Sequence, residues 1–147
     1  MVIRSATSSS CMSTTDIIRA YRQLYRTALR AIRYARPARL EVRDILRESF
    51  RTQPSSAFNA RRIDNTLRFL ETAGTHNGTE HKILKNLLHL QFWRWHGSNK
   101  ALLRKANTDY AVETRRNVWR QYQATLAMLN ESLDTCLQIG AEKSDPS

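Results

Sequence analysis

The sequence predicts an all-α protein, and three observations carry that prediction. Apolar residues recur in steps of three and four over most of the chain, the period of an amphipathic helix. Only 4 Gly and 3 Pro interrupt the 147 residues, and strands are not evident. Leu, Arg and Ala, all good helix formers, are plentiful. The length suits one domain with a respectable core.

The stretch from Asp16 to Arg51 organises the rest. Ile17, Tyr21, Leu24, Ala28, Ile32 and Ala35 form an apolar stripe that Ile18, Tyr25 and Leu29 widen. A second stripe, Arg19, Arg22, Arg26, Arg30 and Arg33, has the same period and therefore covers another face. A solvated basic face is the plain reading of such a stripe. Five arginines in register without an acid repel one another, however, so stability alone is a poor reason for them. The helix is expected to start after Thr14 or Thr15, with Asp16 favourable in its first turn. It is expected to end before Pro37, because a residue preceding proline is steered away from helical backbone.

A second helix is expected over 38–51, with Val42, Ile45, Leu46, Ser49 and Phe50 on its buried face. Thr52-Gln53-Pro54-Ser55-Ser56 reads as a linker. A third helix starts near Asn59, where Phe58 and Ile63 have the spacing of a hydrophobic staple. Ile63, Leu67, Leu70 and Ala73 continue it, and Gly74 is placed to end it in a left-handed cap. A fourth helix runs from Thr79 to Gly97 through Ile83, Leu84, Leu87, Leu88, Phe92 and Trp95. Asn107-Thr108-Asp109 offers a fresh cap for a fifth, whose run Val112, Trp119, Tyr122, Leu126, Leu129, Leu133 and Cys136 is heptad-like from Trp119 onward. Short loops favour packing against another helix of the same chain. Residues 140–147 read as a flexible tail.

Leu24-Tyr25-Arg26 lies inside an Arg-rich first helix, followed by a Pro-marked turn, Phe50-Arg51 and another amphipathic helix. Over residues 15–75 this pattern resembles the LYR-motif (complex I LYR-like) family of small mitochondrial proteins. The resemblance implies an LYR-type three-helix antiparallel bundle over 15–75, here extended by a C-terminal helical hairpin over 79–139. It implies a non-enzymatic adaptor or assembly factor in the mitochondrial matrix that binds the acidic mitochondrial acyl carrier protein. Arg22, Arg26, Arg30, Arg33 and Arg51 are then partner-binding, and Leu24, Tyr25 and Phe50 are motif and core residues. The acyl chain on the partner's 4′-phosphopantetheine would enter beside helix one. Ala28, Ala31 and Ala35 leave space there, flanked by Tyr21, Leu24 and Ile32. Close helix packing at the same alanines is the equal alternative. No cofactor of the chain's own is implied. The client is an unidentified mitochondrial complex: respiratory chain, iron–sulfur assembly or ATP synthase.

The formal net charge of +11 demands an acidic partner, and charge alone does not choose its class. The alternative function is therefore a basic helical RNA-binding or mitoribosome-associated protein. It is supported by Arg61, Arg62, Lys82, Lys85, Lys100, Arg104, Lys105, Arg115, Arg116 and Arg120. Against it, no RNA-binding motif is visible, and aromatics are not interleaved with the cations for base stacking. Residues 1–14 are rich in Ser and Thr and lack acids, and with the first helix they resemble a mitochondrial targeting segment; a disordered tail is the other reading. Cys11 and Cys136 form no CxxC pair and read as thiols of a reducing compartment, though a bridge is not forbidden. The four His are His76, His81, His89 and His96. His89 and His96 share a helix face without a third ligand nearby, so no metal site and no catalytic constellation is expected.

Overall fold

A computed structural model describes residues 13–96 and 108–138 of the protein. The targeting-like segment up to Met12 with Cys11 lies outside the described residues. So do the expected helix stop at Gly97, the cations Lys100, Arg104 and Lys105, Asn107, and the tail from Gly140. So do the side chains of Trp95 and His96.

The described residues are helical and contain no strand. Five α-helices follow in order: α1 Thr14–Ala31, α2 Ala38–Thr52, α3 Ala60–Thr75, α4 Thr79–His96 and α5 Asp109–Leu133, with one 3₁₀ turn at Ser55–Ala57. None is long and apolar enough to cross a membrane.

α1 is capped one residue earlier than expected. Ser13 and Asp16 form a reciprocal capping box, with the Asp16 amide donating to Ser13 Oγ at 3.3 Å and the Ser13 amide donating to Asp16 Oδ2 at 3.3 Å. The helix then stops at Ala31, well before Pro37. Arg33 and Tyr34 have φ of 52° and 56°. The Tyr34 amide donates to the Leu29 carbonyl at 3.0 Å and the Arg33 amide to the Arg30 carbonyl at 3.0 Å. These are the bonds of a Schellman cap with arginine in the left-handed position glycine usually takes. Proline sterics act only on the residue before the ring, whereas this cap consumes the turn ahead of it. Arg33 and Ala35 therefore leave the helix, and both are exposed.

α2 buries Val42 and Ile45, with Leu46, Ser49 and Phe50 half-buried. Asn59 caps α3 by accepting from the Arg62 amide at 3.2 Å, and Phe58 and Ile63 on either side of the cap both reach the core. α3 does not end at Gly74. It runs through to Thr75, no glycine among the described residues has positive φ, and Gly74 instead faces α1. A Cβ at Gly74 would stand 3.2 Å from the Ala31 Cα. Glycine is here for a close backbone approach rather than for a turn. Because the C-terminal ends of α1 and α3 touch and the two helices pack along each other, they run in the same direction, with α2 packed on α1 and α4.

The core joins Ala20, Leu24, Ala28 and Ala31 of α1 to α2, to Ile63, Phe69, Leu70 and Ala73 of α3, and to Leu84, Leu87 and Leu88 of α4. Each large apolar side chain so enclosed contributes roughly 1.5–3 kcal/mol. Four helices, α1 to α4, thus share one core. α4 packs on both α2 and α3, because its leucines at 84, 87 and 88 make a stripe broad enough to face two neighbours. α5 touches the other described helices sparsely and buries none of its residues. Its seam is half-covered: Leu126 and Leu129 lean on the core, and the Arg94 guanidinium lies 3.8 Å from the Trp119 ring centroid.

Two stability outcomes follow from these contacts. Gly74→Leu should separate α1 from α3 and lower stability by roughly 1–3 kcal/mol in chemical denaturation, as overpacking does. Arg33→Gly should raise it by about 0.5–1 kcal/mol, because the left-handed backbone at that position no longer opposes a Cβ.

Candidate functional site

A cavity of about 500 Å³ lies within the helix assembly. Ile17, Leu24 and Ala28 line it from α1, and Val42, Ile45, Leu46 and Phe50 from α2. Ile63, Thr66 and Leu70 of α3 and Leu84, Leu87 and Leu88 of α4 complete the helical walls. The volume is in the range of small-molecule sites, about 300–1,000 Å³, and the helical walls are mainly apolar, with Ser49, Arg62 and Thr66 also among the lining. The apolar part of this space suits a flexible hydrocarbon. Among the lining residues Gln53, Pro54, Ser55, Ala57 and Asn59 are exposed, which puts the mouth at the α2–α3 connection.

The remaining wall is the extended strap after α5. Asp134, at φ 49°, turns the chain back from the helix. Its carboxylate meets Arg61 Nε at 2.8 Å and Arg62 Nε at 3.2 Å, and its carbonyl accepts from Asn65 Nδ2 at 3.0 Å. The Cys136 amide donates to Thr66 Oγ1 at 3.0 Å. Asn130 brackets Leu137, donating to its carbonyl at 2.7 Å and accepting from its amide at 2.9 Å. Thr135 and Leu137 are thereby buried, and Cys136 and Leu137 line the cavity. Burial pushes the Cys136 thiol up, partly offset by the Thr66 hydroxyl and Arg62, so the sulfur stays protonated at neutral pH.

The sequence-predicted residues divide. Leu24 is buried, and Tyr25 is half-buried and stacked on Tyr21 at 6.2 Å between ring centroids. Tyr21 meets Phe50 edge-on at 5.4 Å. Of the six residues expected beside an acyl chain, Leu24 and Ala28 line the cavity. Ala31 is buried against Gly74, Tyr21 and Ile32 are half-buried outside the lining, and Ala35 is exposed in the turn. Arg22, Arg26 and Arg30 are exposed on α1, and Arg51 is exposed beside the lining residues Phe50 and Gln53. Thr15, Ile18, Arg19, Arg22, Gln23 and Arg26 shape a shallow groove on the outer face of α1.

The strap was missed by sequence reading; its one signal was Cys136 continuing the α5 seam beyond the last helical turn. Glu41 and Gln91 were missed as well. Both are enclosed, at 2% and 0% exposure, and neither amide atom of Gln91 has a hydrogen-bond partner. His89 Nε2 accepts from the Trp93 indole at 2.7 Å, and His81 Nδ1 lies 3.0 Å from the Ala73 carbonyl. Among the described residues no cluster of His, Cys, Asp and Glu is placed to hold a metal ion.

The chain is similar to a UPF0593 mitochondrial protein of Schizosaccharomyces pombe, with 42% identity over 77 residues. That match covers 51% of this chain and 62% of the relative's length, less than two thirds of it. No protein-family model matches the chain, and no solved structure matches it.

Asn130→Ala should free the strap. The expected result is a loss of roughly 1–3 kcal/mol in denaturation, from the unpaired Leu137 backbone, with greater uptake of an apolar fluorescent dye by the opened cavity.

Proposed function

We propose, with the mitochondrial relative as premise, that this protein is a non-enzymatic LYR-type adaptor of the mitochondrial matrix. It binds acylated acyl carrier protein and supports assembly of a mitochondrial complex of the respiratory chain, iron–sulfur or ATP synthase kind. The cavity carries this reading. It is mainly apolar, walled by all four core helices, and open at one end, with exposed Arg51 next in sequence to the lining residue Phe50. A carrier-bound acyl chain has the matching shape: a hydrocarbon to fill the space and a tether leaving through the mouth. The carrier's acidic surface then meets exposed arginines among Arg22, Arg26, Arg30, Arg33 and Arg51, and the chain lies against Leu24, Ala28, Val42 and Leu87. Filling removes empty volume, so acyl binding and bundle stability are coupled by mass action.

A second reading, a basic RNA-binding or mitoribosome-associated protein, draws on the exposed arginines of α1. It requires no cavity, which is why the adaptor reading is preferred.

Co-expression with mitochondrial acyl carrier protein should yield a complex in near-equal amounts, and intact mass spectrometry should find the carrier acylated on its 4′-phosphopantetheine. Ala28→Trp places an indole in the cavity. With helicity retained, it should reduce carrier recovery at least tenfold. Recovery unchanged by Ala28→Trp, or equal binding of carrier without an acyl chain, overturns the reading. A steep salt dependence on RNA without carrier binding favours the second.

A further inference from the structure

α4 has an outer face that neither the cavity nor the arginines of α1 use. Its inner face is closed: Leu84, Leu87, Leu88 and Gln91 are all buried. At about 100° per residue, Lys82, Lys85, Asn86, His89, Leu90 and Trp93 fall on the other side, within an arc of about 140°. All six are exposed. The acid of α4, Glu80, falls toward the buried side by the same count. The ion pairs found among the described residues join Arg43 to Asp44, and Arg61 and Arg62 to Asp134, so they leave this face basic. Along the helix axis its chemistry is graded. Lys82 and Lys85 lie in the first half of α4, and Leu90 and Trp93, 39% and 53% exposed, lie near its end. The Trp93 ring is held in place. Its indole N–H donates to His89 Nε2 at 2.7 Å, and the Phe92 ring meets it edge-on at 5.9 Å.

We propose that this face of α4 seats the protein on an anionic lipid surface, with the helix lying along the membrane rather than through it. Lys82 and Lys85 meet the phosphate headgroups, and Leu90 and Trp93 enter the boundary below them, as the two kinds of side chain do on interfacial helices. Tryptophan favours that depth because its ring is apolar over most of its area and polar at one edge. Here the polar edge is already bonded to His89, so the ring leaves water without stranding its N–H. From Lys82 to Trp93 the face runs about 16 Å along the axis. An outer helix face is convex and meets a plane along its length. A strand of nucleic acid calls for a cationic groove with aromatics at successive bases, and this face is a ridge with a single exposed tryptophan. A stable protein interface covers about 800 Å² on each partner, more than one helix face of this length presents. The lipid face is separate from the carrier surface. α1 and α4 both pack on α2 and α3, so they stand diagonally across the bundle and their outer faces point away from each other. Arg22, Arg26 and Arg30 remain open while α4 is seated. Seating on lipid does not depend on the adaptor reading.

The test uses the full chain, free and in complex with acylated carrier. The probes are phosphatidylcholine vesicles with and without phosphatidylglycerol. Co-sedimentation reads binding, and quenching of tryptophan emission by brominated acyl chains reads insertion. The chain should bind the anionic vesicles, both free and with carrier, and leave the neutral ones in solution. Lys82→Gln combined with Lys85→Gln should weaken this binding roughly tenfold or more, from the lost attraction of both lysines to the headgroups. Trp93→Ser should weaken it by about tenfold and reduce the quenching, leaving a charge-driven remainder that salt abolishes. All of these positions are exposed, so helicity by circular dichroism and carrier recovery should match the unsubstituted chain. Failure to bind anionic vesicles, or equal binding by the unsubstituted chain and both α4 variants, overturns the proposal. So does binding lost in Arg22→Gln, Arg26→Gln, Arg30→Gln and kept in the α4 variants, because α1 is then the contact. A single-stranded RNA or an acidic peptide that displaces the vesicles and itself depends on Trp93 overturns it in favour of that partner. A chain that binds no carrier sinks the adaptor reading instead, and the vesicle measurement on the free chain still decides the α4 face.

Discussion

The close contact of α1 with α3 governs this structure. At Ala31 and Gly74 the two backbones approach so nearly that a single added Cβ would press on the Ala31 Cα at 3.2 Å. Ala28, Ala31 and Ala73 are also small and enclosed, so the ends of both helices are drawn together there. Further back along the same helices the facing residues are Ile17, Leu24, Ile63 and Leu70, and the space between them is the cavity. A tight end and an open end on one helix pair give a blind apolar pocket without a separate ligand-binding module. α4 completes it, because its leucine stripe faces α2 and α3 together.

The strap shows a different source of order. Leu137 buries apolar surface, but the chain around it is held by directional bonds from Asn65, Thr66 and Asn130. The Asp134 pairs with Arg61 and Arg62 are partly solvated, and exposed pairs of that kind contribute only about 0–1 kcal/mol each. Registry of the strap therefore comes from side-chain amides and a hydroxyl that bond to its backbone. Extended backbone without a sheet partner needs such donors and acceptors, since an unpaired buried amide is costly.

How charge is distributed matters as much as its sum. Three acids of the described chain are used in local work: Asp16 in a helix cap, Asp44 beside Arg43, Asp134 at the strap. The α1 arginines are left over on the face farthest from the cavity. A basic composition thus resolves into a localised outer row on α1 and a separate exposed cation, Arg51, next in sequence to the lining residue Phe50.

The sequence by itself determined the described helices and the inward face of α1 to α4; on α5 the expected seam residues Val112 and Leu133 are exposed. Periodicity placed Leu24, Val42, Ile45, Ile63, Leu70 and Leu84 in the core, since a side chain's direction on a helix follows from its position alone. It also separated the arginine row from the apolar stripe on α1. It placed the end of α1 too late, because the Schellman cap forms between backbone groups that leave no mark in residue type when arginine takes the glycine position. It misread Gly74, because a glycine suited to a left-handed cap and one suited to a helix crossing look identical until the neighbouring helix is in place. Glu41 and Gln91 were illegible as core residues, since polar side chains signal surface and are enclosed here by neighbours distant in sequence. The sharing of the core by α4, the strap as a cavity wall, and the opposition of cavity and arginine row across α1 were decided only by tertiary structure. Each depends on distances between segments far apart in the chain, and no local pattern of residues encodes those distances.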